Sequence, residues 1–367
     1  MAREHNFSAG PALLPLSVVE QLQATLPELG ETGMGLMEIS HRSAAFEAIR
    51  DSAEARLRSL MGVPDDYAVL FLQGGASFQF YMHARNLLAG QSDKADILLT
   101  GRWADSALVE MRRCGDVQAA WSPTSGEPRR VPAPGEPTLR DDALYLHYTT
   151  NNTVSGSQFH TPPQTGKPLV GDMSSDICSR PVDVTRHAVI YAGAQKNLGP
   201  SGVTAVIVSP WAMEQSARVD KIIEGGLPSM LDYRLMAKKQ SMFNTPNTFG
   251  IFALDRVLSW IEDHGGVTAM EARNLAKSSA LYTEIDRTDF WQGYVAEGSR
   301  SIMNPTWGSP SAALDKTFVS EAADAGLLGL KGHRSVGGLR ASIYNACELS
   351  SVQALIGFMQ DFERRHG

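Results

Sequence analysis

The stretch HAVIYAGAQKNLGPSG, residues 187–202, decides how this chain is read. Apart from His187, its first eight residues are apolar or small without alternation, the pattern of a strand covered on both faces. Gln195 and Lys196 end the run, and Asn, Gly, Pro, Ser and Gly follow, a composition suited to tight turns. A lysine at a strand end is ordinarily a solvated charge. Here a buried strand delivers it into a sharply turning loop, which places an amine at a fixed point.

Working outward, YAVLFLQGG (67–75), DILLTG (96–101), DALYLHYTTN (142–151), PLVGD (168–172) and TAVIVS (204–209) read as further strands. Most are short and uninterrupted. FEAIRDSAEARLRSLMGV (46–63) has helical spacing, with Phe46, Ile49, Ala53, Leu57 and Leu60 on one face, and SFQFYMHARNLLAG (77–90) reads as helix. Helices alternate with the earlier strands, which predicts an α/β domain with a largely parallel sheet. The segment 122–140 holds five prolines and reads as a long surface connection. After Phe249 two helical stretches flank the breaker His264-Gly265-Gly266. The expected division is a large domain, 15–259, and a smaller one, 260–367, joined by the N-terminal segment 1–14, with the cleft between them as the site.

The bulk composition narrows the partners. The 367 residues carry a formal net charge of -7, which argues against nucleic acid or an anionic membrane as partner. Three scattered cysteines, Cys114, Cys178 and Cys347, lack metal-site spacing and fit a reducing compartment. MAREHNFSAGPALLP has no basic start and apolar run of a signal peptide. No apolar run reaches the roughly 20 residues that span a bilayer. A cytoplasmic protein without a metal centre is expected.

Ligands of doubly wound sheets bind outside the carboxyl ends of the strands. Four such ends carry unusual residues: Gly74-Gly75-Ala76-Ser77, Asn152-Thr153, Asp172 and Lys196. Each has a plain alternative. Paired glycines make turns, Asp172 suits a helix cap, and Lys196 alone is a surface charge. Together they form the set that pyridoxal phosphate asks for. A lysine forms the Schiff base, a carboxylate pairs with the pyridinium nitrogen, and a helix N-terminus holds the phosphate.

The motifs NFSAGPALLP (6–15), MEISHRS (37–43), GRWADSA (101–107), NNTVSG (151–156), SSDICSRPVDV (174–184), YAGAQKNLGPSG (191–202), SMFNTPNTF (241–249) and GHRSVGGLRASIYNA (332–346) cover nearly the whole chain in order. In these the sequence resembles the phosphoserine aminotransferase family, class V of the pyridoxal-phosphate-dependent aminotransferases. The resemblance implies fold type I: a seven-stranded, mostly parallel sheet flanked by helices, plus a smaller α+β domain. It implies Lys196 as the Schiff-base lysine and Asp172 as partner of the ring nitrogen. It further implies Trp103 stacked on the ring, Thr153 near the phenolic oxygen, and Gln195, Ala76 and Ser77 at the phosphate. Asn244 and Thr245 would reach the phosphate of a neighbouring subunit, making the active unit a homodimer.

The implied reaction moves an amino group between L-glutamate and 3-phosphohydroxypyruvate, giving O-phospho-L-serine and 2-oxoglutarate, in serine biosynthesis. Some bacterial relatives also serve pyridoxine biosynthesis with a phosphorylated four-carbon analogue. Both substrates pair an α-carboxylate with a second anion, so one fixed arginine and an adaptable cationic pocket are needed. Arg340 is the candidate fork, and His41-Arg42 with His333-Arg334 are the candidate pocket. The chain departs from the family at GGASFQF (74–80), where many members read GGGRGQF and so carry an arginine at position 77. Ala9 likewise stands where a serine is common. Competing readings are an alanine–glyoxylate or serine–glyoxylate aminotransferase, a cysteine desulfurase, and a non-covalent phosphate binder. No cysteine lies in a Gly/Ser-rich loop, small substrates need no pair of His-Arg dipeptides, and the nucleotide-binding glycine patterns are missing.

Overall fold

The computed structural model describes residues 3–124 and 129–367; part of the proline-rich connection, 125–128, lies outside the described residues. Seven strands make the main sheet: β1 (Ala68–Leu72), β2 (Lys94–Leu98), β3 (Asp116–Trp121), β4 (Leu146–Thr149), β5 (Leu169–Asp172), β6 (His187–Gly193) and β7 (Thr204–Val208). Their spatial order is β1-β7-β6-β5-β4-β2-β3. β7 runs antiparallel to both neighbours, and the other pairings are parallel. Every residue of β4, β5, β6 and β7 is buried, because helices cover both faces of the sheet.

The helices that matter here are α1 (Ala44–Met61), α2 (Gly75–Leu87), α3 (Arg102–Met111), α4 (Thr248–Asp263), α5 (Gly266–Ile285) and α6 (Leu349–His366). One apolar layer packs α1 and α4 on one face of the sheet, with Phe46, Leu57, Phe252 and Trp260 among its members. The other face carries α2 and α3 through Phe80, Met82, Leu87, Leu108 and Met111. Gly265 and Gly266 both take positive φ, 90° and 72°, and so break α4 from α5 where the sequence placed a breaker.

The C-terminal residues build a separate apolar cluster around Trp291, Trp307, Phe318 and Phe362, with a three-stranded antiparallel sheet beside it. Phe7 is buried in that cluster, and His5–Asn6 pairs in parallel with Leu327–Leu328. The N-terminal segment is therefore held by the far end of the chain. β3 is an element the strand reading passes over. It is an edge strand with two exposed residues, so its sequence, DVQAAW, carries no continuous apolar signal.

Candidate active site

β5 and β6 lie side by side and parallel, with Asp172 level with Tyr191. Beyond that point the chain turns away, and Lys196 comes back over the strand ends. The turn is tight: the Leu198 and Gly199 N–H groups both donate to the Ala194 carbonyl, at 3.1 and 2.8 Å. Lys196 Nζ donates to Thr153 Oγ1 at 2.8 Å. Burial lowers the amine to about 8; Asp172 opposes that, Arg340 adds to it, and Asp176 opposes it again. Such an amine is nucleophilic near neutral pH.

Asp172 is 4% exposed, and its Oδ1 accepts the Ser174 N–H at 3.0 Å. Burial pushes its carboxyl up, against the Ser174 contacts and the charge of Lys196. A cation on its open side would favour the ionised form. Asp176 is buried nearby and is also pushed up by burial, against the pull of Arg180 and its bonds from Thr150 and Gln158.

At the end of β1, Gly74 and Gly75 adopt φ of 90° and 67° and start α2. The first-turn N–H groups of Ala76 and Ser77 have no intrahelical acceptor and are available to an anion. Trp103 sits in the first turn of α3, and its indole N–H is buried without a partner. From the C-terminal side, Arg340 Nη1 donates to the Thr153 carbonyl at 3.1 Å, while its Nε is buried and unpartnered. The His333 Nδ1 lies 2.8 Å from Ser335 Oγ, and its imidazole is lowered by burial and by Arg102, Arg340 and Arg334.

These groups share one cavity of about 450 Å³, whose walls include Ala76, Ser77, Trp103, Thr153, Asp172, Gln195, Lys196, His333 and Arg340. Ala9 and Gly10 close one side and Asn151 another. Asn152 turns instead to Thr100, donating at 3.1 Å, and so holds strand ends together. His41, Arg42, Arg334, Asn244 and Thr245 do not line the cavity. Arg42, Arg334 and Thr245 are exposed, and Asn244 lines a neighbouring hollow with Gly74, Phe78 and Met230. Ser174, Asn151 and Tyr344 escaped the sequence reading. Polar residues that act through buried hydrogen bonds carry no spacing signal.

The fold and this cavity define a pyridoxal-phosphate-dependent transferase of fold type I. The residues present fit the cofactor. The helix N-terminus matches its phosphate, the buried carboxylate its ring nitrogen, the half-buried lysine its aldehyde, and the Trp103 face its ring.

Comparison with known proteins places the chain more closely. The family model Aminotransferase class-V matches residues 5–355. The phosphoserine aminotransferase of Geobacillus kaustophilus (strain HTA426) is 48% identical over 366 residues, covering 100% of this chain and 99% of that one. That of Niallia circulans is 47% identical over 367 residues, with 100% and 99% covered. Among solved structures, phosphoserine aminotransferase from Bacillus circulans subsp. alkalophilus superposes with a TM-score of 0.93 at 46% identity, over 100% of this chain and 99% of that one. The chain belongs to the class-V aminotransferases and, within them, to the phosphoserine aminotransferase family. An alanine–glyoxylate aminotransferase from Nostoc sp. shares the fold alone, at 17% identity and a TM-score of 0.78.

Proposed function

We propose that this chain transfers the amino group between L-glutamate and 3-phosphohydroxypyruvate, producing O-phospho-L-serine and 2-oxoglutarate. The observation that carries the reading is the meeting of Lys196, Asp172 and the half-satisfied Arg340 guanidinium in one cavity. When bound, pyridoxal phosphate supplies an electron sink for the substrate's α-carbon and a carbonyl that takes up the amine.

The chain's own residues do the rest. Arg340 takes the α-carboxylate common to both substrates through its free Nε and one terminal nitrogen. Its third nitrogen stays on the Thr153 carbonyl, which fixes the plane of the fork. Lys196, with its amine near pH 8, is the base that removes and returns the proton at the substrate α-carbon. Asp172 holds a proton on the ring nitrogen, and Ser174 holds Asp172. Trp103 walls the ring from water.

The distal anion falls to His333 and Arg334, with His41 and Arg42 contributed by a second copy. Ser77 leaves the phosphate of the substrate without the arginine common elsewhere, so this subsite relies on those four residues. Asn244 and Thr245 reach the neighbour's cofactor phosphate. Exposed Phe78, Met230 and Phe243, at 40%, 44% and 38%, support a covered face beside that loop. The cofactor domain, 15–259, and the smaller one, 260–367, then meet within α4, whose Trp260 and Ile261 still pack on the cofactor domain, in a cytoplasmic homodimer. Among the described residues no helix is long and apolar enough to cross a membrane.

The test is an absorbance spectrum of the purified protein with pyridoxal phosphate, before and after glutamate and then 3-phosphohydroxypyruvate, beside Lys196→Ala. The expected result is a violet band that shifts with glutamate, returns with the phosphorylated keto acid, and is altered in the variant. A shift that the phosphorylated acid cannot reverse rejects the substrate assignment. No band at all rejects the cofactor reading.

A further inference from the structure

Tyr344 lies four residues beyond Arg340 and is 2% exposed. Its hydroxyl donates to the Ala9 carbonyl at 2.9 Å and accepts from Asn304 Nδ2 at 3.2 Å. The same Asn304 nitrogen donates to Ser342 Oγ at 2.9 Å, and the Asn304 amide oxygen accepts from Asn151 Nδ2 at 2.7 Å. One phenol thus ties together three stretches that wall the cavity: Ala9–Gly10, the Asn151–Thr153 strand end, and the segment bearing Arg340.

Neither end of this tie is free to drift. The buried Lys277 amine on α5 donates to the Ile343 and Tyr344 carbonyls at 2.9 and 2.7 Å. The Ser342 N–H donates to the Phe7 carbonyl at 3.1 Å, and the Ala12 N–H donates to the Gln195 carbonyl at 2.9 Å. The N-terminal strap is therefore bolted to the C-terminal segment before Ala9 and to the lysine loop after Gly10. The Tyr344 hydroxyl is the side-chain link between the two bolts.

We propose that Tyr344 is a positioning residue for the carboxylate of both substrates: it fixes the N-terminal strap Ala9–Gly10 at the distance from Arg340 that a 2-amino or 2-oxo acid requires. The inference rests on the reading of Arg340 as the carboxylate fork. Without the phenol, the strap and the fork lose their shared reference, while Lys196 keeps the tight turn at Ala194 and Asp172 keeps its bond from Ser174. Substrate affinity should fall and the chemistry on bound substrate should not.

The experiment is stopped-flow absorbance of both half-reactions in the holoenzyme, with glutamate and with 3-phosphohydroxypyruvate, for wild type, Tyr344→Phe, Arg340→Lys and the double variant. Tyr344→Phe is expected to raise both apparent dissociation constants about tenfold while leaving both limiting rates within about twofold. In the Arg340→Lys background it should add little, since the two residues act on one group. Unchanged affinities in Tyr344→Phe, with Arg340→Lys weakened, overturn the positioning role and leave the fork intact. Unchanged affinities in Arg340→Lys overturn the fork itself. A merely structural role shows as a lower melting temperature with affinities unmoved, which also overturns the proposal. If Tyr344→Phe fails to fold, Asn304→Ala leaves the phenol in place and removes its other partner. The same joint rise in both dissociation constants is expected there, and no rise overturns the inference.

Discussion

Lys196 and Lys277 are both amines lowered to about 8 by burial, yet their surroundings give them different work. Lys196 faces a cavity, with a carboxylate within reach and one hydroxyl partner. Lys277 is 2% exposed and spends its protons on two backbone carbonyls. The folded state lowers the Lys277 pKa below its value of 10.5 in the unfolded chain, so between pH 8 and 10.5 the unfolded chain binds more protons. Its contribution to stability therefore rises with pH across that window. Denaturant titrations of wild type and Lys277→Met should show the deficit of the variant growing from pH 8 to pH 10.5. A deficit that is flat or shrinks in that range would falsify the lowering of this amine by burial. In the sequence, Lys277 within NLAKSSA was indistinguishable from a surface lysine on a helix, whereas the loop after Lys196 marked that residue out.

At the scale of elements, the site is a set of strand ends and the helices that follow them. Strands covered on both faces are legible because nothing interrupts their apolar run, as in β6 and β7. β3 was silent because an edge strand needs only half a core. Of the residues 142–151, only Leu146–Thr149 joins the main sheet; Asn151 bridges to Gln158 instead and, with Thr153, forms the cavity wall. The β1–α2 junction depends on Gly74, where φ is 90° and an added Cβ would stand 2.6 Å from the Phe78 Cβ. Gly74→Ala should cost about 1–2 kcal/mol of backbone strain and tilt the N–H groups that would meet the cofactor phosphate. Equilibrium dialysis should find pyridoxal phosphate bound several-fold more weakly, with Lys196 still reactive. Unaltered binding would mean that the junction does not hold the phosphate.

For the whole molecule, the sharpest expectation concerns residues that lie away from the cavity of their own chain. If Asn244 and Thr245 serve the neighbouring subunit, Asn244→Ala/Thr245→Ala and Lys196→Ala copies should complement when unfolded together and reassembled. Each mixed dimer then holds one intact site, with Lys196 from one copy and the loop from the other. Mixtures no more active than the separate variants would place the loop elsewhere. Charge gives no warning of such an arrangement, because the chain is acidic overall.

The sequence alone determined the α/β class, the mounting strand, the amine at its end and the cofactor chemistry, because each is written in contiguous residues. A covered strand, a turn-rich loop and a glycine pair before a helix act locally, so local composition records them. Tertiary structure alone decided that Asn151 rather than Asn152 faces the cavity, that Phe7 anchors the N-terminal strap, and that Tyr344 joins that strap to Arg340. Those choices rest on apolar packing and on hydrogen bonds between groups as many as 335 residues apart, and a buried polar group takes whichever partner the packing brings to it.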